Sequence, residues 1–510
     1  MLDKIKTETG KLRTSPMPPQ FTRFVLLFLA LTFLVAVALF TRHNSFPYTY
    51  HPDEDTKVRQ VMTGKRNYFH PLLMLTATEL AAKVGHVKKQ PNDVARAGRC
   101  VAAVFSALTV VALAALAFRW TGWPGMVCAA VFLSLNPLLF ELAHYFKEDP
   151  ALLMGIAVTF LALDIFWQSP GRWQAAFLGF GCALATSGKY LGIVMLLFAI
   201  PLLVIRSRSD KRLFLWFLGG FVLPLAVINW SLFLHLSDFS NGLSREVDGA
   251  TGGHRGIKRE VPHGYYFSRM NELTPAGLWL GLVMCLGFFV WTARKRTLPQ
   301  WLTFLFPFLF FVTLSFSPKT AGRYLLPVEA FTTFFAALSV GFLMANDKKL
   351  RALPAIAALL IFFAGTRTSA NDLSVLFREF SQDARNELRA WIAGQTPPNA
   401  VVAQDGRVDL AASPDWKNAR PLLSSEFAAD LGSITELRSK GVTHVAVARQ
   451  VYNRFFDVGL KPSAKEQVDF SRRSAFYHQL FDGRTPVWES PLGKVIYLQP
   501  GIRVYDISKL

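Results

Sequence analysis

Apolar residues along this chain come in blocks rather than in alternation. Eleven stretches carry few charges: 24–41, 97–118, 123–143, 150–167, 174–187, 190–205, 213–235, 275–293, 300–316, 324–345 and 352–367. A helix needs roughly 20 residues, at about 1.5 Å each, to cross a bilayer. A further stretch, 70–85, is short and carries Glu79 and Lys83. Its apolar positions Leu72, Leu73, Leu75, Leu80 and Val84 predict an amphipathic helix lying in the membrane interface. Past residue 367 the blocks stop. Residues 372–393 read as an amphipathic helix. VVAQD (401–405), THVAVA (443–448) and VIYLQ (495–499) read as strands, with helices expected across 424–439 and 463–480. The pattern predicts a polytopic α-helical membrane protein of about eleven transmembrane helices with a small C-terminal α/β domain. The divisions are an N-terminal segment 1–23, a membrane domain 24–367 with long loops at 42–96 and 236–272, and a soluble domain 368–510.

Composition adds sidedness. The chain is 52% hydrophobic with a formal net charge of +20. A basic balance suggests nucleic acid at first sight, but no basic, aromatic-interleaved patch is present. The positive charge lies in short loops instead: around Arg119, at Arg172, in RSRSDKR (206–212), ARKR (293–296) and NDKKLR (346–351). Short basic loops mark the cytoplasmic side. With 70–85 left out as a span, parity puts all of these loops and the N-terminus inside, and the C-terminal domain outside. The first span is expected to remain uncleaved. The four cysteines sit inside apolar blocks without metal-ligand or disulfide spacing.

The same parity places five polar segments on the outer face: YTYHPDEDTK (48–57), HYFKEDP (144–150), SGKY (187–190), the loop 236–272, and SPKTAGRY (317–324). Asp53 and Glu54 open a helix, where carboxylates complement the helix dipole. A carboxylate beside lipid is also expected to have a raised pKa, suiting a general base. Glu148 and Asp149 stand where a loop meets a span, with Pro150 at the helix start. Lys147, Lys189, Lys319 and Arg323 either snorkel to headgroups or clamp a phosphate. His254, in the glycine-rich ATGGHRG, is expected on a mobile loop within reach of phosphate or sugar. Acids and cations around an outer cavity suit a reaction with a lipid-phosphate leaving group. A preactivated lipid-linked donor would supply the energy, so no Walker loop is required. No cofactor is expected; the question of a divalent metal stays open, since no His/Asp/Glu cluster has ligand spacing.

Four of these stretches, in order, resemble the GT-C membrane glycosyltransferases of the protein O-mannosyltransferase and lipid A aminoarabinose transferase superfamily. They are "HPDED" with "YFHPLL" (68–73), "YFKEDPALL" (145–153), "SGKYLG" (187–192) and "GRYLLPV" (322–328), spread over roughly residues 20–345. The resemblance implies an inverting transfer from a polyprenyl-phosphate sugar to a lipid, glycan or protein acceptor. It implies Asp53, or Glu54 beside it, as general base. It places Lys147 and Asp149 near the donor, and Lys189, Arg323 and Tyr324 toward the phosphate, with His70 and Glu148 as loop contacts. It also implies a bacterial-type inner (plasma) membrane location. Two departures stand out. Phe69-His70-Pro71 replaces the acidic-Lys-Pro motif of the aminoarabinose branch, and Glu329 stands where many members have a proline. The loop 236–272 is too short for the β-trefoil of the mannosyltransferase branch, which speaks against a protein acceptor. The competing class, a transporter or flippase of a lipid-linked sugar, would show inverted repeats with broken helices at the midplane, and the sequence shows no repeat.

Overall fold

A computed structural model describes residues 19–208, 210–253, 256–345, 352–413, 416 and 420–508. His254, most of the N-terminal segment and the NDKKLR loop (346–351) lie outside the described residues. The membrane part begins with α1 (Pro19–Phe40), α2 (Pro52–Thr63), α3 (Leu73–Val84), α4 (Pro91–Thr121), α5 (Trp123–Ser134) and α6 (Pro137–Ala143). It continues through α7 (Asp149–Gln168), α8 (Arg172–Gly188), α9 (Met195–Arg206), α10 (Arg212–Ile228), α11 (Trp230–Leu234) and α12 (Leu236–Gly252). A short strand β1 (Ile257–Arg259) leads to α13 (Pro262–Leu273), α14 (Ala276–Trp291), α15 (Leu298–Ser315), α16 (Leu326–Ala345) and α17 (Ala352–Phe380).

All eleven apolar stretches fold as helix, those at 190 and 324 opening with a 3₁₀ turn. Among the described residues, five helices are long and apolar enough to cross a membrane alone. Two bent pairs, α5–α6 at 56° and α13–α14 at 108°, raise the number to seven. The helix through Gly322–Met344 is wholly enclosed, whereas α1 turns Phe24, Leu27 and Leu31 outward as a lipid-facing helix would. The stretch 70–85 forms α3, which packs Leu73, Met74 and Leu75 inward and leaves Leu80 and Val84 exposed.

Both bent pairs are pinned by one buried acid. The Thr274 hydroxyl at the α13–α14 break donates to Glu329 Oε2 at 2.7 Å. Asn136 at the α5–α6 break donates to Thr333 at 2.9 Å and lies 3.5 Å from Glu329 Oε1. Polar side chains at interrupted helices replace the backbone partners lost there. Elsewhere close packing replaces polarity. Gly155 of α7 lies against the Ala185 backbone, and Gly188 of α8 against the Leu152 and Ala151 backbone. Small residues let two helices approach closely in an apolar medium. The crossing sets the start of α7 beside the end of α8, bringing Asp149 next to Lys189.

The expected loop 236–272 is largely ordered structure. It holds α12, β1 and α13, and β1 pairs antiparallel with β5 (Leu460–Pro462) of the C-terminal domain. That domain contains α18 (Ala384–Gln395), β2 (Val401–Asp405), β3 (Leu422–Ser425), α19 (Ile434–Ser439) and β4 (Val442–Ala448). It ends with α20 (Arg449–Tyr452), α21 (Gln467–Phe481), β6 (Trp488–Glu489) and β7 (Ile502–Asp506). The sheet order is β3-β2-β4-β7-β6, parallel across β3-β2-β4 and antiparallel beyond. The strand expected at 495–499 is a turn instead, and the last strand lies further on, in β7. Val495 and Leu498 are apolar because they bury against the membrane domain and not in the sheet. The expected helix 372–393 is split between the end of α17 and α18 by a break that Asp383 caps.

The C-terminal domain is fastened to the loop before α2. The Tyr50 hydroxyl donates to Asp383 at 2.5 Å, and the Thr49 hydroxyl to Asp409 at 2.6 Å. The Arg385 guanidinium stacks 3.8 Å from the Tyr50 ring.

Gly188→Val would force α8 off α7. It is expected to cost about 1–3 kcal/mol and to lower the melting temperature in detergent. Gly219→Ala, at a helical position with open space around it, should leave melting unchanged or raise it slightly.

Candidate active site

His51 caps α2, its Nδ1 accepting from the Asp53 N–H at 3.2 Å, with Pro52 in the first turn and Gly64 closing the helix at φ 74°. Burial, then Lys147, hold His51 neutral well below its ordinary pKa, so its Nδ1 lone pair is free to accept. The acids Asp53, Glu54 and Asp55 follow in that first turn. Successive helical residues point about 100° apart, so the three acids enter three environments. Asp53 faces a cavity and forms an ion pair with Lys147. Asp55 bonds Arg59 on the surface at 2.5 Å. Glu54 points inward and is wholly buried.

Glu54 is the center of an anchor. It pairs with Arg99, whose Nε donates to Oε1 at 2.9 Å, and the Phe146 N–H donates to the same oxygen at 2.8 Å. Arg99 also donates to the carbonyls of Asn44 at 2.8 Å and Phe46 at 2.6 Å. One carboxylate thus joins α2, α4 and the 144–148 loop. Glu54 does not line the cavity, and the expectation that it could serve as an alternative base is corrected: its oxygens are committed to Arg99 and Phe146. Glu148 is likewise withdrawn, 2.9 Å from Lys57 and away from the cavity. Burial would raise its pKa, but His70, Lys57 and Lys147 hold it down at about 2.

The cavity, of about 530 Å³, collects residues from every outer segment of the sequence. Asp53, His70, Lys147, Asp149, Lys189, Lys319, Arg323 and Tyr324 all line it. Apolar walls come from Leu152, Leu191, Leu243, Phe310 and Leu314. Three of its cations are matched. Lys147 pairs with Asp53, Lys189 with Asp149 at 2.6 Å, and Lys319 with Glu246 at 3.4 Å. Lys189 also stands 5.1 Å over the Tyr324 ring. The fourth cation, Arg323, makes no ion pair or hydrogen bond among the described residues, and its buried Nε is unpartnered. Its recorded contact is with the adjacent Tyr324 ring, at 5.2 Å. Asp149 Oδ2 is also buried without a partner.

The expected raised pKa of Asp53 is reversed. Burial pushes it up, but Lys147, Lys57 and Arg323 outweigh burial and hold it far below the usual carboxylate range. Asp53 is open to the cavity while the Lys147 ammonium is enclosed, with side chains 39% and 3% exposed. Burial, and then Arg323, therefore lower Lys147 to about 8, against the opposing pull of Asp53 and Asp149. His70 is lowered by burial and by Lys57 and Lys189, against the pull of Glu148. Among the described residues, no three His, Cys, Asp or Glu side chains converge as a metal site.

The comparisons agree with this architecture. Residues 70–231 match the family model described as dolichyl-phosphate-mannose-protein mannosyltransferase. No curated protein matches the chain. The structure of ArnT from Cupriavidus metallidurans bound to undecaprenyl phosphate superposes with a TM-score of 0.50 at 16% identity, covering 86% of this chain and 95% of that one. The chain has the fold of the GT-C glycosyltransferases. The Archaeoglobus fulgidus oligosaccharyltransferase in its apo form shares the GT-C fold too, at TM-score 0.50 and 12% identity, covering 86% and 71%.

Sequence reasoning passed over Lys57, Arg99, Glu246 and Tyr497. Arg99 had a signal, since an ionisable residue at the edge of an apolar helix is costly unless paired. Tyr497 had none, because its neighbors read as a strand.

Asp53 and Glu54 separate experimentally. Glu54→Gln strands Arg99 and should cost about 3–5 kcal/mol of stability. Asp53→Asn, at a side chain that is 39% exposed, should cost less than Glu54→Gln. Thermal unfolding of both variants in the same detergent checks the assignment.

Proposed function

We propose that the chain is an inverting glycosyltransferase that moves a sugar from a polyprenyl-phosphate donor to an acceptor hydroxyl. The reaction takes place on the extracytoplasmic face of the inner (plasma) membrane. The N-terminus lies in the cytoplasm and the C-terminal domain outside. The observation that carries this reading is the unmatched Arg323 in a cavity whose other cations are all paired. A guanidinium that makes no ion pair, in a cavity where each lysine has one, is free to take an anion, and its planar fork suits a phosphate. The apolar wall of Leu152, Phe310 and Leu314 suits the lipid chain that carries it. Membrane sidedness rests on the opposite end of the bundle, where Arg206 donates to the Trp167 carbonyl at 2.6 Å and Arg119 pairs with Asp164 at 2.5 Å. Those are the short basic loops that the positive-inside rule assigns to the cytoplasm.

In the reaction the acceptor oxygen attacks the anomeric carbon from the face opposite the phosphate. The bond from that carbon to the phosphate oxygen breaks, and the hydroxyl proton passes to Asp53. Lys147, Lys189 and Arg323 stabilise the charge that develops on the departing lipid phosphate. A carboxylate of low pKa is a weak base. It takes the proton late, when the sugar carbon is already electron-poor and the attacking hydroxyl has become acidic. Lys147 both holds Asp53 in place and stands ready to share its charge with the phosphate. His70, on the cavity wall, serves as a hydrogen-bonding contact.

Transfer of radiolabel from polyprenyl-phosphate sugars by purified protein in lipid nanodiscs tests the proposal. Asp53→Asn should lose about 10²-fold or more in rate. Movement of the sugar-lipid across vesicles with no transfer by wild type would contradict the enzyme reading and favor a transporter. The pH profile gives a second check. Lys147 loses its proton as pH rises through about 8, so kcat/KM should fall above that value. Lys147→Arg, which stays charged, should carry the limb beyond about pH 10. Asp53 stays ionised far below this range and should contribute no acid limb between about pH 5 and 7.

A further inference from the structure

Arg385 is the second residue of α18, just past the Asp383 cap, and is fully buried. A guanidinium taken out of water needs partners for the N–H groups it presents. The partners of Arg385 come from separate segments. Its Nε donates to the Val408 carbonyl at 3.0 Å and its Nη2 to the Arg407 carbonyl at 2.6 Å, both in the loop after β2. Its Nη1 donates to the Tyr497 carbonyl at 2.9 Å and lies 3.3 Å from Asp383 Oδ1. The face of the group stacks on the Tyr50 ring at 3.8 Å.

Two of these contacts lead to the same residue of the membrane part. Tyr50 directly precedes His51. Its ring lies on Arg385, its hydroxyl donates to Asp383 at 2.5 Å, and its carbonyl accepts from Arg407 at 3.3 Å. Ring, hydroxyl and carbonyl of Tyr50 are thus all held by the C-terminal domain. Tyr497, whose carbonyl Arg385 holds, sets its own ring 4.3 Å from the His51 ring. His51 in turn caps α2 by accepting from the Asp53 N–H at 3.2 Å. The Glu54–Arg99 pair fixes the rotation of α2 from within the membrane part. Arg385 fixes the chain where that helix begins, from the other domain.

We propose that Arg385 is a positioning residue for the transfer reaction: through Tyr50 and Tyr497 it holds the His51 cap, and with it the Asp53 carboxylate, in place at the first cavity. The inference rests on the glycosyltransfer reading and gives the C-terminal domain a part in it. A base must meet its proton in one geometry, and about 1 Å of misplacement costs about 10²-fold in rate. The hydrogen bonds and ring contact of Arg385 involve none of Lys147, Lys189 and Arg323. Its loss should therefore lower kcat and spare the binding of the donor phosphate. Lysine is no substitute, because a point charge on a flexible stem can neither span these carbonyls as a planar fork nor stack on a ring.

Hydrogen–deuterium exchange and radiolabel transfer from polyprenyl-phosphate sugars, both on the full-length protein in nanodiscs, test the proposal. Arg385→Lys should speed exchange in the peptide spanning residues 48–57. It should lower kcat about tenfold or more, with KM for the donor and the affinity for polyprenyl phosphate within about twofold of wild type. Tyr477→Phe weakens the same domain elsewhere, by removing the hydroxyl that donates to Asp405 at 2.8 Å. Its exchange in that peptide and its kcat should match wild type, which separates positioning from general support of the domain. Should Arg385→Lys fail to fold, Tyr497→Leu probes the same path. The carbonyl at 497 stays on Arg385 while the ring leaves His51, and kcat should again fall with phosphate binding kept. Wild-type exchange or kcat in Arg385→Lys, wild-type kcat in Tyr497→Leu, or an equal loss in Tyr477→Phe would overturn the inference. Absence of transfer by wild type overturns the proposed function itself, a result distinct from an unchanged Arg385→Lys.

Discussion

Charge in a place without water must be matched, and that constraint organises the outer end of this protein. Removing an ion from water costs several kcal/mol even after relaxation. Asp53, Glu54, Glu148, Asp149 and Glu246 each meet one cation, respectively Lys147, Arg99, Lys57, Lys189 and Lys319. These pairs join segments far apart in the chain and hold the loops at the mouth of the helix bundle together. Among the described residues, Arg323 is the cation of this cavity that makes no ion pair, and the functional reading follows from that difference.

The helix period decides which acid does what. In the first turn of α2 the rotation per residue sends Glu54 into the protein and Asp53 into the cavity. The buried pair with Arg99 fixes the rotation of α2, and so the direction of Asp53, while the Phe146 N–H carries the same constraint to the loop that bears Lys147. The glycine-lined crossing of α7 and α8 does the corresponding work for Asp149 and Lys189. The C-terminal domain closes the assembly by holding Tyr50 through Asp383 and Arg385 and by setting Tyr497 against His51, so it meets the membrane part beside the candidate site.

Much of this was legible in the chain. The apolar blocks, the capped start at Pro52 and the amphipathic stretch after His70 depend on local periodicity, which sequence displays directly. So do the ionisable residues at the ends of spans, since apolar surroundings make them conspicuous. What was not legible required a partner from elsewhere. The separation of Asp53 from Glu54 depends on Arg99, some 45 residues onward. The pKa of Asp53 was expected to rise because burial is predictable from its setting, whereas Lys147 and Lys57 converge on it only in three dimensions. VIYLQ was misread because burial in a sheet and burial against another domain demand the same apolar residues.

The central claim is that Arg323 is held open for a lipid-borne phosphate. Equilibrium binding of unglycosylated polyprenyl phosphate to wild type and to Arg323→Gln in nanodiscs, with polyprenol as the uncharged comparison, measures this most directly. The account predicts that wild type prefers the phosphate to the alcohol by a wide margin and that Arg323→Gln loses about tenfold or more of that preference, in keeping with a charge-assisted hydrogen bond of about 1.5–3 kcal/mol. Equal preference in the two proteins would contradict it.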